Sequence, residues 1–132
     1  MHKLIKIIVG LTALGLSSGV LAHHSFSAEF DASKPVLLTG AVTRIEWTNP
    51  HAWVHMDVKD DKGNVANWAV ELLGVNVLVR SGMTPKTVRP GDVLTIKGFA
   101  ARDGSNTANG SLVTRTKTGE KLWGSARENR DP

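Results

Sequence analysis

The chain has 132 residues, no cysteine, and a formal net charge of +4 from 16 basic and 12 acidic side chains. The length admits one domain. The missing cysteine excludes disulfides, thiol redox chemistry, c-type haem attachment and thiolate metal sites. The charge is no nucleic-acid signature, because Lys3 and Lys6 sit in a leader-like segment and no basic run follows it.

Residues 1–22 read as a signal peptide. Lys3 and Lys6 make a short basic start, residues 7–16 an apolar run, and Val20 and Ala22 fit positions −3 and −1 of a cleavage site after Ala22. The apolar run falls short of the ~18 residues of a membrane span. The expected mature protein starts at His23 and is exported to the periplasm. Losing Lys3 and Lys6 leaves 14 basic residues against 12 acidic ones, a net charge of +2.

An N-terminal arm is expected over residues 23–35, with Phe26 and Phe30 pinning it to the body. A β-barrel follows over residues 36–123, and a frayed tail over 124–132 with little to bury. The first strand spans 36–47, with Gly40 as a bulge or bend. Pro50 lacks an N–H and disfavours helix at Asn49, so the chain turns there. The second strand spans 52–59, with Val54, Met56 and Val58 inward and Trp53, His55 and Asp57 outward. Gly63 sits in a hairpin turn, and the third strand covers 65–72. Val75, Leu78 and Val79 have helical spacing over 74–81, stopped by Gly82. The fourth strand is predicted over 93–101 and a weaker fifth, interrupted by Gly110, over 107–116. Leu122 and Trp123 then close the sheet.

Three strands, a short helix and two strands give an all-β fold, a small OB-fold-like five-stranded Greek-key barrel. An open β-roll or a two-sheet sandwich are the alternatives.

Several motifs carry a resemblance across nearly the whole mature chain: His23-His24-Ser25-Phe26, Lys34-Pro35, Leu38-Thr39-Gly40-Ala41-Val42, Trp47-Thr48-Asn49-Pro50-His51-Ala52-Trp53 and Pro90-Gly91-Asp92. With these the sequence resembles a family of small exported bacterial proteins catalogued as domain of unknown function family 6152. The resemblance implies export and one small domain. It carries no activity and no catalytic residue.

Candidate chemistry gathers on the histidines. With cleavage after Ala22, the α-amine and imidazole of His23 can chelate one metal ion, and His24, His51 or His55 can add a further nitrogen. All-nitrogen ligation suits Cu(II). His51 and His55 share one face of a strand about 13 Å apart, too far to hold one metal directly. Met56 belongs to the core by parity. Trp47, Asn49, Trp53, Asp57 and Glu71 form a candidate ligand-binding face, where the two indoles can stack on a sugar, an aromatic ligand or a cation. Asp57 and Glu71 are read as outer-face carboxylates, without the cleft a glycosidase needs. No nucleophile elbow, phosphate loop or dinucleotide turn is present.

The first functional expectation is therefore an exported copper-binding protein without turnover. The second is a metal-free envelope module that holds a peptide, glycan or partner protein on the Trp47, Asn49 and Trp53 face. Nucleic acid is not an expected partner.

Overall fold

Strand β1, Phe30–Glu46, is long enough to serve two neighbours, and the fold is organised around it. In a computed structural model, which describes residues 26–126, the other elements are β2 (Trp53–Lys59), β3 (Val65–Glu71), helix α1 (Val75–Ser81), β4 (Val93–Ala101), β5 (Thr107–Arg115) and β6 (Lys121–Gly124). The N-terminal part of β1 pairs with β4, through Phe30↔Ala101 and then Pro35↔Phe99 to Ala41↔Val93. Its C-terminal part pairs with β2, from Gly40↔Val58 to Glu46↔Trp53. Antiparallel β2–β3 and β4–β5 ladders extend the sheet both ways, and a parallel β3–β5 pairing closes it into a ring. This is the OB-fold connectivity, with the helix between β3 and β4. Strand β6 adds to the outer side of β5.

The hand-over on β1 requires a glycine. Gly40 is paired on both sides at once, and a Cβ there would collide with the Asp57 carbonyl oxygen. The bulge itself falls at Thr43, since Val42 pairs with Met56 and Arg44 with His55. The extra residue turns Arg44 rather than Thr43 towards His55, as bulges re-aim side chains. β5 runs on through Gly110, but its ladder with β4 slips by one residue beside it, since Lys97 pairs with Leu112 and Gly98 with Gly110. Gly110 faces Gly98 across the ladder, where either added Cβ would meet neighbouring atoms.

The core follows the alternation. Val54, Met56, Val70, Ile96, Leu94 and Val113 are fully buried, each removing apolar area worth roughly 1.5–3 kcal/mol. Trp123 is buried, and Trp47 and Trp68 pack against the same cluster. The helix buries less than its spacing predicts: Leu78 is fully buried, whereas Val79 is 45% exposed. Only one side of so short a helix reaches the barrel. Gly82 ends it with a φ of 97°, a left-handed cap.

Two boundaries differ from expectation. β1 starts at Phe30, within the anticipated arm, and Phe30 is buried. Phe26 stacks at 5.8 Å on Phe30 and edge-on at 6.0 Å to Phe99, pinning residues 26–29, a single helical turn, to the barrel. At the other end the Ser125 N–H donates to the Ser111 carbonyl, so the chain stays bonded past Gly124. No helix among the described residues is long and apolar enough to cross a membrane.

Candidate functional site

The chemistry-bearing residues gather where β2 begins, β3 ends and β1 starts. Just ahead of the β2–β3 ladder the Ala52 N–H donates to the Leu73 carbonyl and the Leu72 N–H donates to the Ala52 carbonyl, which fixes the turn carrying His51. His51 Nδ1 lies 3.7 Å from Glu71 Oε1. Glu71 is 9% exposed, and its parallel partner Asn109 donates from Nδ2 to Oε1 at 3.2 Å. Burial pushes the Glu71 carboxyl above its usual range. His51 and the Asn109 amide pull it back, and the nearby Glu29 carboxylate pushes it further up.

Trp53 pairs directly with Glu71 across the β2–β3 ladder and forms a wall of an open cleft of about 450 Å³. The remaining walls come from Ala28 and Glu29 of the helical turn, Phe30 at the start of β1, and the β4–β5 connection, including Arg102, Asp103 and Ser105. Arg102 clasps the helical turn: its backbone N–H donates to the Glu29 carbonyl at 2.8 Å and its Nε to the Ser27 carbonyl at 2.7 Å. One of its terminal nitrogens also lies 3.9 Å from Asp31.

The other predicted residues go elsewhere. His55 Nε2 is 3.2 Å from Glu46 Oε2 and 3.1 Å from an Arg44 terminal nitrogen, so it belongs to a separate charged cluster. The His55 hydrogen bond, then Arg44, holds the Glu46 carboxyl below its usual range. Trp47 and Trp53 do not form a stacking pair. Glu46 faces Trp53 on the outside, so Trp47, one residue on, has the opposite parity and packs on the core. Asn49 works in the fold: its Oδ1 accepts the Val75 N–H at 3.0 Å, at the start of α1, whose own N-cap Gly74 has no side chain to offer. Asp57 and Glu71 share the outer face without meeting. Asp57 pairs with Asn67, four positions along the ladder from the Trp53–Glu71 pair, and accepts the Asn67 amide at 2.9 Å. His23 and His24 lie outside the described residues.

The family model described as "Family of unknown function (DUF6152)" matches residues 12–111. The chain belongs to this family. No curated protein matches it. Among solved structures it is similar to the mitochondrial single-stranded DNA-binding protein Rim1 of S. cerevisiae, at 11% identity and a TM-score of 0.47, over 70% of this chain and 97% of that one.

In this DUF6152 protein the structure adds residues to the site that the sequence reading did not single out. Asn109, Glu29 and Arg102 reach it through the β3–β5 closure and the β1–β4 pairing, contacts between segments far apart in the chain. The charge of Glu29 and Arg102 is the one local signal for those two, and Asn109 has none. Among the described residues, no group of three or more His, Asp or Glu is close enough to hold a metal ion. His51 and Glu71 are two donors that need at least one more.

Proposed function

We propose that this DUF6152 protein is an exported OB-barrel protein that binds a copper ion. His23 supplies its amine and imidazole, His51 a further nitrogen, and Trp53 shields the ion. His24 stands next to His23 as an additional nitrogen. The observation that carries this reading is the His51–Glu71 pair beside the point where the N-terminal segment enters the barrel. Phe26 is fixed by its ring contacts, and the three residues from Phe26 back to His23 span at most about 10 Å. Glu29, in the same turn as Phe26, is close enough to act on Glu71 electrostatically. An amine and imidazoles suit Cu(II) above the other common divalent ions. His55 is less suited than His51, because the Arg44 guanidinium lies against its ring.

The test is a Cu(II) titration of the protein beginning at His23, read by electron paramagnetic resonance, beside a form with one extra glycine before His23. One-to-one binding with a nitrogen-rich spectrum in the first, and markedly weaker binding in the second, is expected. Equal affinity in both would remove the amine from the site, and weak, non-stoichiometric binding in both would remove copper.

A metal-free envelope module, holding a peptide, glycan or protein partner, is the second reading. The cleft beside Trp53 favours it. It requires Trp53→Ala to abolish partner binding while His23→Ala leaves it intact; loss in both variants would count against it.

A further inference from the structure

The cleft beside Trp53 has a chemical character that the copper reading does not use. Its volume of about 450 Å³ falls within the range of small-molecule sites, roughly 300–1,000 Å³. Trp53 forms one wall, and two acidic residues, Glu29 and Asp103, line the cleft from different segments of the chain. Asp103 is held ionised by the side chain and backbone N–H of Ser105, which keep its carboxyl below the usual range. A third carboxylate, Glu71, pairs with Trp53 across the strands and feels Glu29 as a like charge. Arg102 is the one cation among the lining residues, and its charge is already engaged by the Ser27 carbonyl and Asp31. The cleft therefore combines an aromatic face with an excess of negative charge. That combination attracts an organic cation, which gains from the ring quadrupole as well as from the carboxylates.

We propose that this cleft binds an alkylammonium group, seated over the Trp53 indole with its charge matched by Glu29 and Asp103. The alkyl stem lies along Phe30 and Ala101, the apolar floor of the lining. A primary amine fits better than a guanidinium, because a compact charge on a flexible stem does not need a planar bidentate partner. Such a group reaches the cleft as a free aliphatic amine or as a lysine side chain. The proposal does not rest on the copper reading, since it uses neither His51 nor His23, and it is tested in the presence of EDTA.

The experiment is a titration of the isotope-labelled protein beginning at His23, followed through the indole N–H signal of Trp53, which Trp53→Phe identifies. n-Pentylamine is compared with 1-pentanol and with valerate. The amine is expected to move the signal saturably and to bind at least fivefold more tightly than the alcohol, while valerate leaves the signal in place. Glu29→Gln and Asp103→Asn should each weaken the amine severalfold, and Asn at 103 retains an acceptor for the Ser105 turn. Nα-acetyl-lysine amide binding as well as pentylamine assigns the ammonium to a side chain, and failure of that probe beside pentylamine binding assigns it to a free amine. Equal shifts with amine and alcohol overturn the proposal, as does unchanged affinity in both carboxylate variants with the spectrum otherwise intact. So does binding seen only in a protein that begins at Phe26, because the chain's own terminus would then occupy the cleft.

Discussion

His51 Nδ1 lies 3.7 Å from Glu71 Oε1, so a residue in the turn before β2 meets the last residue of β3. His55, four residues further on, instead meets Glu46 and Arg44 of β1. The two histidines therefore have different neighbours and should have different roles. His51→Ala is expected to weaken Cu(II) binding at least about tenfold, which is ~1.4 kcal/mol. His55→Ala should change it less than about twofold, since the ring it removes is committed to a salt-bridge cluster. Competitive titration against a chelator of known affinity measures both. The opposite ranking would move the site to the Arg44 cluster.

Glu71 makes a second prediction, about stability. Its carboxyl titrates above its ordinary value of 4.5 because it is buried. A carboxyl whose folded-state value is raised adds stability below its unfolded value and loses that contribution as pH rises through the raised one. Glu71→Gln keeps an acceptor for the Asn109 amide and removes the ionisation. Urea midpoints between about pH 4 and about pH 8 should fall with rising pH in the wild type relative to the variant, opening a gap on the order of 1 kcal/mol. A gap of constant size across that range would mean that Glu71 does not titrate there.

Asn49 separates folding from binding. Its side chain accepts the Val75 N–H, an amide that a short helix with a glycine N-cap otherwise leaves to water. Asn49→Ala should cost about 1 kcal/mol, the usual loss of a capping acceptor, while Asn49→Asp keeps the acceptor and most of the stability. Neither change should alter Cu(II) affinity by more than about twofold, within the scatter of surface substitutions. Chemical denaturation and the copper titration, run on the same samples, read the two effects apart.

The barrel was legible in the sequence because its strands alternate cleanly. Val54 and Met56 inward, with Trp53 and His55 outward, is what the structure has. The helix between the third and fourth strands, with Gly82 behind it, marked the topology. The site was legible only in part. Trp53, His51 and Glu71 carry the right residue types on the right face, yet their company depends on long-range closure. Nothing near Glu71 in the chain announces Asn109, which arrives through the parallel β3–β5 pairing. The bulge at Thr43 changes which β1 side chain faces His55, and a one-residue slip of this kind leaves no signature in a β-branched run. Trp47 looked like a partner for Trp53 because both flank the Asn49–Pro50 turn, but parity sends the two rings to opposite sides.

Gly40 supplies the last prediction. It sits where β1 passes from pairing with β4 to pairing with β2, and it does so with backbone rather than side chain against Asp57. A methyl group there cannot be absorbed by rotating a neighbour, because the atom in the way is a main-chain carbonyl oxygen. Gly40→Ala must push β2 away from β1, and overpacking of this kind costs about 1–3 kcal/mol. Gly63 is the control: its φ of 84° also disfavours alanine, but nothing lies within 4 Å of its added Cβ. Gly63→Ala should cost about 1 kcal/mol, from backbone strain alone. Urea unfolding of both variants, with hydrogen exchange at Val58 and Asp57, distinguishes the two causes. Gly40→Ala should speed exchange across the β1–β2 ladder, and Gly63→Ala only at its turn. Equal stability of Gly40→Ala and the wild type would mean that the two strands approach less closely than this register requires.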